Sequence, residues 1–280
     1  RGTSSLTRVS VSRNKGAHAG VSMSSEPTSL TVADSHIDGN EAVDSTGAPD
    51  LSAGINGELS GEAGLTGQVQ IVRSTVDGNV AKQAAGLQSA RATAIVDSTF
   101  RGNTVLNREP AQPSGAVVVE NALVMSGSTV SGTTVAPVAS ALPSAAISAK
   151  SATLTNDTIV GNTADVGGVL LREGGSLRGV TLDDNRGATA QQLATAGPVS
   201  LGATALGRGA GAGPTCAVVE DPSAPSAVGS ITSVGYNVAT GSTCPFAPAA
   251  TDLVDAGDLR LAPLAISKGA SPTRVPLPQS

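Results

Sequence analysis

The sequence predicts an all-β fold in which short parallel strands stack repeat upon repeat. Three observations lead there: a six-residue phrase recurs seven times, two apolar columns run through the repeats at a fixed offset, and bulky side chains are nearly absent. The phrase reads VSVSRN (9–14), SHIDGN (35–40), STVDGN (74–79), STFRGN (98–103), STVSGT (128–133), DTIVGN (157–162) and VTLDDN (180–185), close to Ser-Thr-apolar-x-Gly-Asn. Its last residues fall at 14, 40, 79, 103, 133, 162 and 185, so the period varies between 23 and 39 residues by insertion alone.

The first column comprises Val11, Ile37, Val76, Phe100, Val130, Ile159 and Leu182, and the second, five residues earlier, Leu6, Val32, Ile71, Ile95, Met125, Leu154 and Leu177. All fourteen are apolar in a chain that is 39% apolar, so the pattern is not chance. Local alternation, as in Leu30-x-Val32 and Val69-x-Ile71, has the strand period of two. An odd offset of five requires a bend between the columns if both point inward. Asn14, Asn40, Asn79, Asn103, Asn162 and Asn185 then suit a second corner, because Asn tolerates the left-handed conformation and its amide can bond the next Asn in a ladder that Thr133 interrupts. A third face opens with Gly or Ala at Gly20-Val21, Gly86-Leu87, Gly115-Ala116-Val117, Ala146-Ile147 and Gly168-Val169. Insertions gather on one side, notably 41–68 and 104–114, which is where binding is expected.

Val199, Leu201 and Leu206 repeat the offsets once more, giving about eight coils over 1–212. Nine of the sixteen prolines follow residue 213, so 213–280 is expected to be a Pro-rich cap covering the apolar end of the stack. Cys216 and Cys244 would close it with one disulfide in an oxidising compartment, a reduced pair being the alternative. The opening Arg1, with no starter Met, suggests a piece of a longer precursor.

Composition excludes several functions. With 17 Lys and Arg against 22 Asp and Glu, and a net charge of −5, the basic footprint of a nucleic-acid binder is missing. No Trp, one Tyr and two Phe leave almost no stacking platform. No apolar run is long enough to span a membrane as a helix. Neither a Gly-x-Ser-x-Gly elbow nor a phosphate loop occurs, and no cofactor is expected.

The phrases Ser98-Thr99-Phe100-Arg101-Gly102-Asn103 and Asp157-Thr158-Ile159-Val160-Gly161-Asn162, with openers such as Gly167-Gly168-Val169, resemble the repeats of bacterial right-handed parallel β-helix surface proteins, including polymorphic outer membrane protein passengers. The stretch Gly235-Tyr236-Asn237-Val238, Cys244-Pro245, Thr251-Asp252 and Leu259 to Ala265 is similar to the choice-of-anchor Q domain, although Ile266-Ser267-Lys268-Gly269 departs from its usual Asn-Gly-Gly. The resemblance implies a right-handed, pectate-lyase-like solenoid that is secreted, extracellular or on the cell surface, and leaves function open.

Enzymes on this fold need acidic or basic side chains on neighbouring coils. The outward column reads Ser12, Asp38, Asp77, Arg101, Ser131, Val160 and Asp183, so Asp38, Asp77 and Arg101 are the weak catalytic candidates, with a merely solvated face as the alternative. Asp34, His36 and Asp38 alternate on one strand, but strand-adjacent ligands alone rarely complete a metal site, and none is expected. Thr75, Thr99, Thr129, Thr158 and Thr181 form an outward hydroxyl column. Ice-binding solenoids order water with such ladders but usually in two matched columns, whereas the flanking column here is Asp, Arg, Ser, Val and Asp, and Thr is simply a good exposed strand residue. The expected function is a non-enzymatic adhesin or structural stalk whose partners are other surface proteins or glycans. The alternatives are a self-assembling surface filament or layer subunit and a polysaccharide lyase or hydrolase.

Overall fold

The computed structural model describes residues 2–18, 20–23, 28–47, 50–57, 67–106, 112–137, 143–221, 228–241, 243–265 and 271–274. Among them every regular element is a strand, and the named strands form three parallel sheets, the arrangement of a parallel β-solenoid. The narrow sheet stacks nine short strands: Ser10–Ser12, His36–Asp38, Thr75–Asp77, Thr99–Arg101, Thr129–Ser131, Thr158–Val160, Thr181–Asp183, Ala205–Leu206 and Val238–Ala239. A 15-stranded sheet forks into two arms, which the long strands Gly115–Ser126 and Ala145–Thr155 join by bending through both. A small sheet stacks Lys15–Gly16, Glu41–Ala42, Val80–Ala81, Thr104–Val105 and Thr134–Val135.

Both apolar columns stack like on like. The first runs in register from Val11 through Ile37 and Phe100 to Leu206, and the second from Leu6 through Ile71 and Met125 to Leu201. The third face also lines up, from Val21 through Ile55, Leu87, Val117, Ile147, Val169 and Leu193 to Cys216. Together they build a continuous core in which Phe100 is the largest apolar side chain. Glycine opens the third face because the chain passes close to the next repeat: a Cβ on Gly86 would lie 2.6 Å from the Ala116 carbonyl oxygen and 2.9 Å from the Phe100 ring.

The bend demanded by the five-residue offset is a left-handed residue two places after each second-column side chain: Arg8, Asp34, Arg73, Asp97, Gly127, Asn156, Gly179 and Ala203. The next corner differs from expectation. The left-handed residue there is the one before Asn, or before Thr133 at the break in the ladder, namely Arg13, Gly39, Gly78, Gly102, Gly132, Gly161 and Asp184. Glycine takes the strained conformation, which frees Asn to point inward.

There it builds the ladder. The side-chain oxygen of Asn79 accepts the backbone N–H and the side-chain amide of Asn40, both at 3.0 Å. The same pair of bonds links Asn14 to Asn40, Asn79 to Asn103, and Asn162 to Asn185. Asn40, Asn79, Asn103, Asn162 and Asn185 are fully buried. At the break, the Thr133 N–H still reaches Asn162 at 2.9 Å, but its hydroxyl is buried without a partner among the described residues.

A second polar column runs beside the first. Ser35, Ser74, Ser98 and Ser128 each accept an N–H of the preceding repeat and donate to a carbonyl two residues back in their own. Asp157 ends this run: one carboxylate oxygen accepts the Ser128 N–H at 2.8 Å, the other the Thr155 N–H at 2.9 Å, and the next residue in the column is Val180. Burial pushes the Asp157 carboxyl up to about 7, although both N–H bonds pull it down.

The 41–68 stretch supplies two strands, Glu41–Ala42 and Ile55–Gly57, with Ala53 and Ile55 in the core, rather than a surface loop throughout. Residues 58–66 and 107–111 lie outside the described residues. Parallel pairing continues beyond 213, where Cys216–Val218, Ser230–Ser233 and Val238–Ala239 add to all three faces. The Cys216–Cys244 disulfide closes this end. Asp252 ties the following loop down, accepting from the Ser233 hydroxyl at 2.5 Å and from the Asn237 and Ala249 N–H groups at 2.8 and 2.7 Å.

Restoring the ladder by Thr133→Asn should raise unfolding free energy by about 1 kcal/mol in urea titrations, since it satisfies a buried group and adds amide bonds. Asp157 sets a pH dependence. Its folded-state pKa is raised from 3.8 to about 7, so the protonated acid's contribution is complete below about pH 4 and lost as pH rises through 7. At 1.36 kcal/mol per unit this is roughly 4 kcal/mol. The stability of Asp157→Ser relative to the parent should therefore increase by a similar amount between pH 4 and pH 8.

Candidate functional site

The narrow sheet's strands are three residues or shorter, so their middle residues enter the core and their flanking residues face outward as two columns. Register places His36 beside Thr75, Asp38 beside Asp77, and Asp77 beside Arg101. The three catalytic candidates from sequence are thus adjacent, and His36 joins them. Arg101 Nη2 donates to Asp77 Oδ2 at 2.6 Å. His36 Nε2 lies 3.4 Å from Asp38 Oδ1 and 3.5 Å from Asp77 Oδ1. The Ser12 hydroxyl donates to Asp38 Oδ1. The carboxylates are mostly shielded, with side-chain exposures of 25% for Asp38 and 15% for Asp77, while His36 is half exposed.

Asp34 does not join His36. It sits at the left-handed corner, where Arg73 donates to its two oxygens at 2.7 and 2.9 Å. Those hydrogen bonds, with the Arg73 and Arg8 charges, hold its carboxyl below the usual range against the opposing effect of desolvation. Asp77, 39 residues from Asp38, takes its place; the aligned phrases already put these two in one column, and His36 two positions before Asp38.

Farther along the same sheet the outer face is covered. Residues Ser271–Arg274 cross it as a strap: the Ser271 hydroxyl donates to the Ser98 carbonyl at 3.2 Å, the Thr129 hydroxyl to the Pro272 carbonyl, and Arg274 to Asp183 at 2.5 Å and Asp184 at 3.4 Å. Thr99, Thr129, Ser131, Thr158 and Val160 are consequently buried. The outward threonine column is therefore not a free water-ordering surface. Burial raises the Asp183 carboxyl, and Arg274 opposes that shift.

Two clefts lie away from the His36 group. One, about 470 Å³, sits between strap, narrow sheet and C-terminal loop and is lined by Asp183, Arg208, Thr240, Asp258, Arg260 and Arg274 among others. The other, about 280 Å³, is lined by Val135, Pro137, Ala164, Asp165, Arg186 and Ala188 among others. Among the described residues no helix is long and apolar enough to cross a membrane. No family model, curated protein or solved structure matches the chain.

Removing the strap's anchor should expose what it covers. Arg274→Ala leaves Asp183 without its counter-charge and is expected to cost about 1–2 kcal/mol, a partly exposed pair being worth less than a buried one. Guanidinium titration and faster carboxypeptidase trimming of the C-terminus would register it.

Proposed function

We propose that the chain is a non-enzymatic extracellular or cell-surface stalk with an adhesive surface for other surface proteins or glycans. The observation that carries this reading is unbroken registry: nine narrow-sheet strands stack in register, at about 4.8 Å per step a rod of about 38 Å. Stiffness of this kind comes from ladders and core columns, not from walls around a reaction chamber. The Cys216–Cys244 disulfide supports an oxidising compartment and hence secretion. In this reading the solenoid is a right-handed parallel β-helix of about eight coils over 1–212 with a cap over 213–280, akin to the passengers and anchor domain that its repeats and C-terminal stretch resemble.

A second reading, a self-assembling filament or layer subunit, draws on like-on-like stacking: Asn40 meets Asn79 as Asn79 meets Asn103, so a repeat of one chain has the surface to stack on a repeat of another. A polysaccharide lyase or hydrolase would have to use Asp38, Asp77 and Arg101, and the Arg101 contact ties up one oxygen of Asp77.

Light scattering with negative-stain microscopy should find discrete monomeric rods that bind a glycan or surface-protein array without turnover. Ordered filaments would establish the second reading instead. Polysaccharide cleavage lost in Asp77→Ala would overturn both.

A further inference from the structure

We propose that His36, Asp38 and Asp77 hold one zinc-class divalent cation on the open half of the narrow sheet. These residues are the only group of three His, Cys, Asp or Glu among the described residues whose ligand atoms all lie within 4.8 Å of one another. The separations carry the argument. At 3.4 and 3.5 Å, His36 Nε2 stands at ion-pair distance from Asp38 and Asp77, longer than the about 2.9–3.0 Å at which N–H···O hydrogen bonds cluster. The same separations match the edge of a tetrahedron, about 3.4 Å when each ligand sits about 2.1 Å from zinc.

The surroundings suit a cation. Asp77 divides its oxygens, Oδ2 held by Arg101 and Oδ1 turned to His36. Ser12 fixes Asp38 from the preceding repeat, so both carboxylates are oriented by neighbours, as metal-ligating carboxylates usually are. Two carboxylates and one guanidinium leave one negative charge beside the His36 imidazole. One nitrogen and two oxygens select a first-row transition metal or zinc over calcium, which prefers six or more oxygens. Half-exposed His36 puts the fourth coordination position at the solvent face, open to water or to a donor from another molecule. His18, the other histidine, lies elsewhere, 3.2 Å from the Asn56 amide.

The test is calorimetric titration of the full chain with zinc chloride. One site per chain is expected, with affinity reduced at least tenfold in His36→Ala and in Asp77→Asn, unchanged in His18→Ala, and no saturable heat with calcium. NMR on the unaltered chain gives a readout independent of the variants' folding: zinc should shift the His36 ring protons and leave those of His18 in place. No saturable binding, equal affinity in His36→Ala, or a shift confined to His18 would overturn the proposal. None of these outcomes bears on whether the rod is monomeric or adhesive.

Discussion

The whole structure depends on in-register parallel pairing between successive repeats. A parallel strand satisfies its N–H and C=O groups only through its neighbours, so each repeat must lay the same backbone path over the last. Two left-handed residues per repeat fix that path, one on each side of the narrow sheet. With the path fixed, identical residues meet. A buried asparagine, costly alone, becomes favourable when its amide donates to the asparagine of the next repeat and accepts from that of the previous one. The serine column uses the same geometry, and Asp157 marks where it stops and a hydroxyl gives way to a titratable acid.

Short strands on one face make that face chemically distinctive. A three-residue strand commits one side chain to the core and two to the outside, so the narrow sheet's surface is set by two columns alone. The columns do not share one fate. Among their early members His36 and Arg101 remain exposed and Asp38 and Asp77 partly so, whereas the Thr and Val positions near Thr129 and Val160 lie beneath the strap. Arg274 closes the strap on Asp183 and Asp184, so the acids late in the column serve an internal contact while Asp38 and Asp77 stay available.

Much of this was legible in the sequence because repetition amplifies it. Leu6 and Val11, Ile71 and Val76, and Leu154 and Ile159 carry the same offset, and the bend that offset demands lies two residues past the first member of each pair. The asparagine ladder was readable for the same reason, though the left-handed residue proved to be its neighbour: burial and amide stacking, not backbone tolerance, select Asn. Features made once were not legible. Ile55 joins the third face from within a Gly-rich insertion that breaks the period. Ser271 contacts Ser98 across 173 residues, which no local pattern encodes. His36 and Asp77 fell between the two, since their columns were readable but the approach of their ligand atoms depends on side-chain rotamers.

The constant five-residue link also dictates how such a chain can change length. Adding one residue between Leu6 and Val11, or between any corresponding pair, would turn every later side chain in that strand from inside to outside. Adding residues beyond the small-sheet strand that follows the asparagine corner disturbs neither apolar column, and there the spacing already varies. Duplicating an entire repeat is equally neutral, because the upper and lower surfaces of a repeat carry the same pattern: Asn40 meets Asn79 as Asn79 meets Asn103. Such a molecule grows or shrinks along its axis in whole repeats, and varies in outline only on either side of the third face, away from the constant five-residue link.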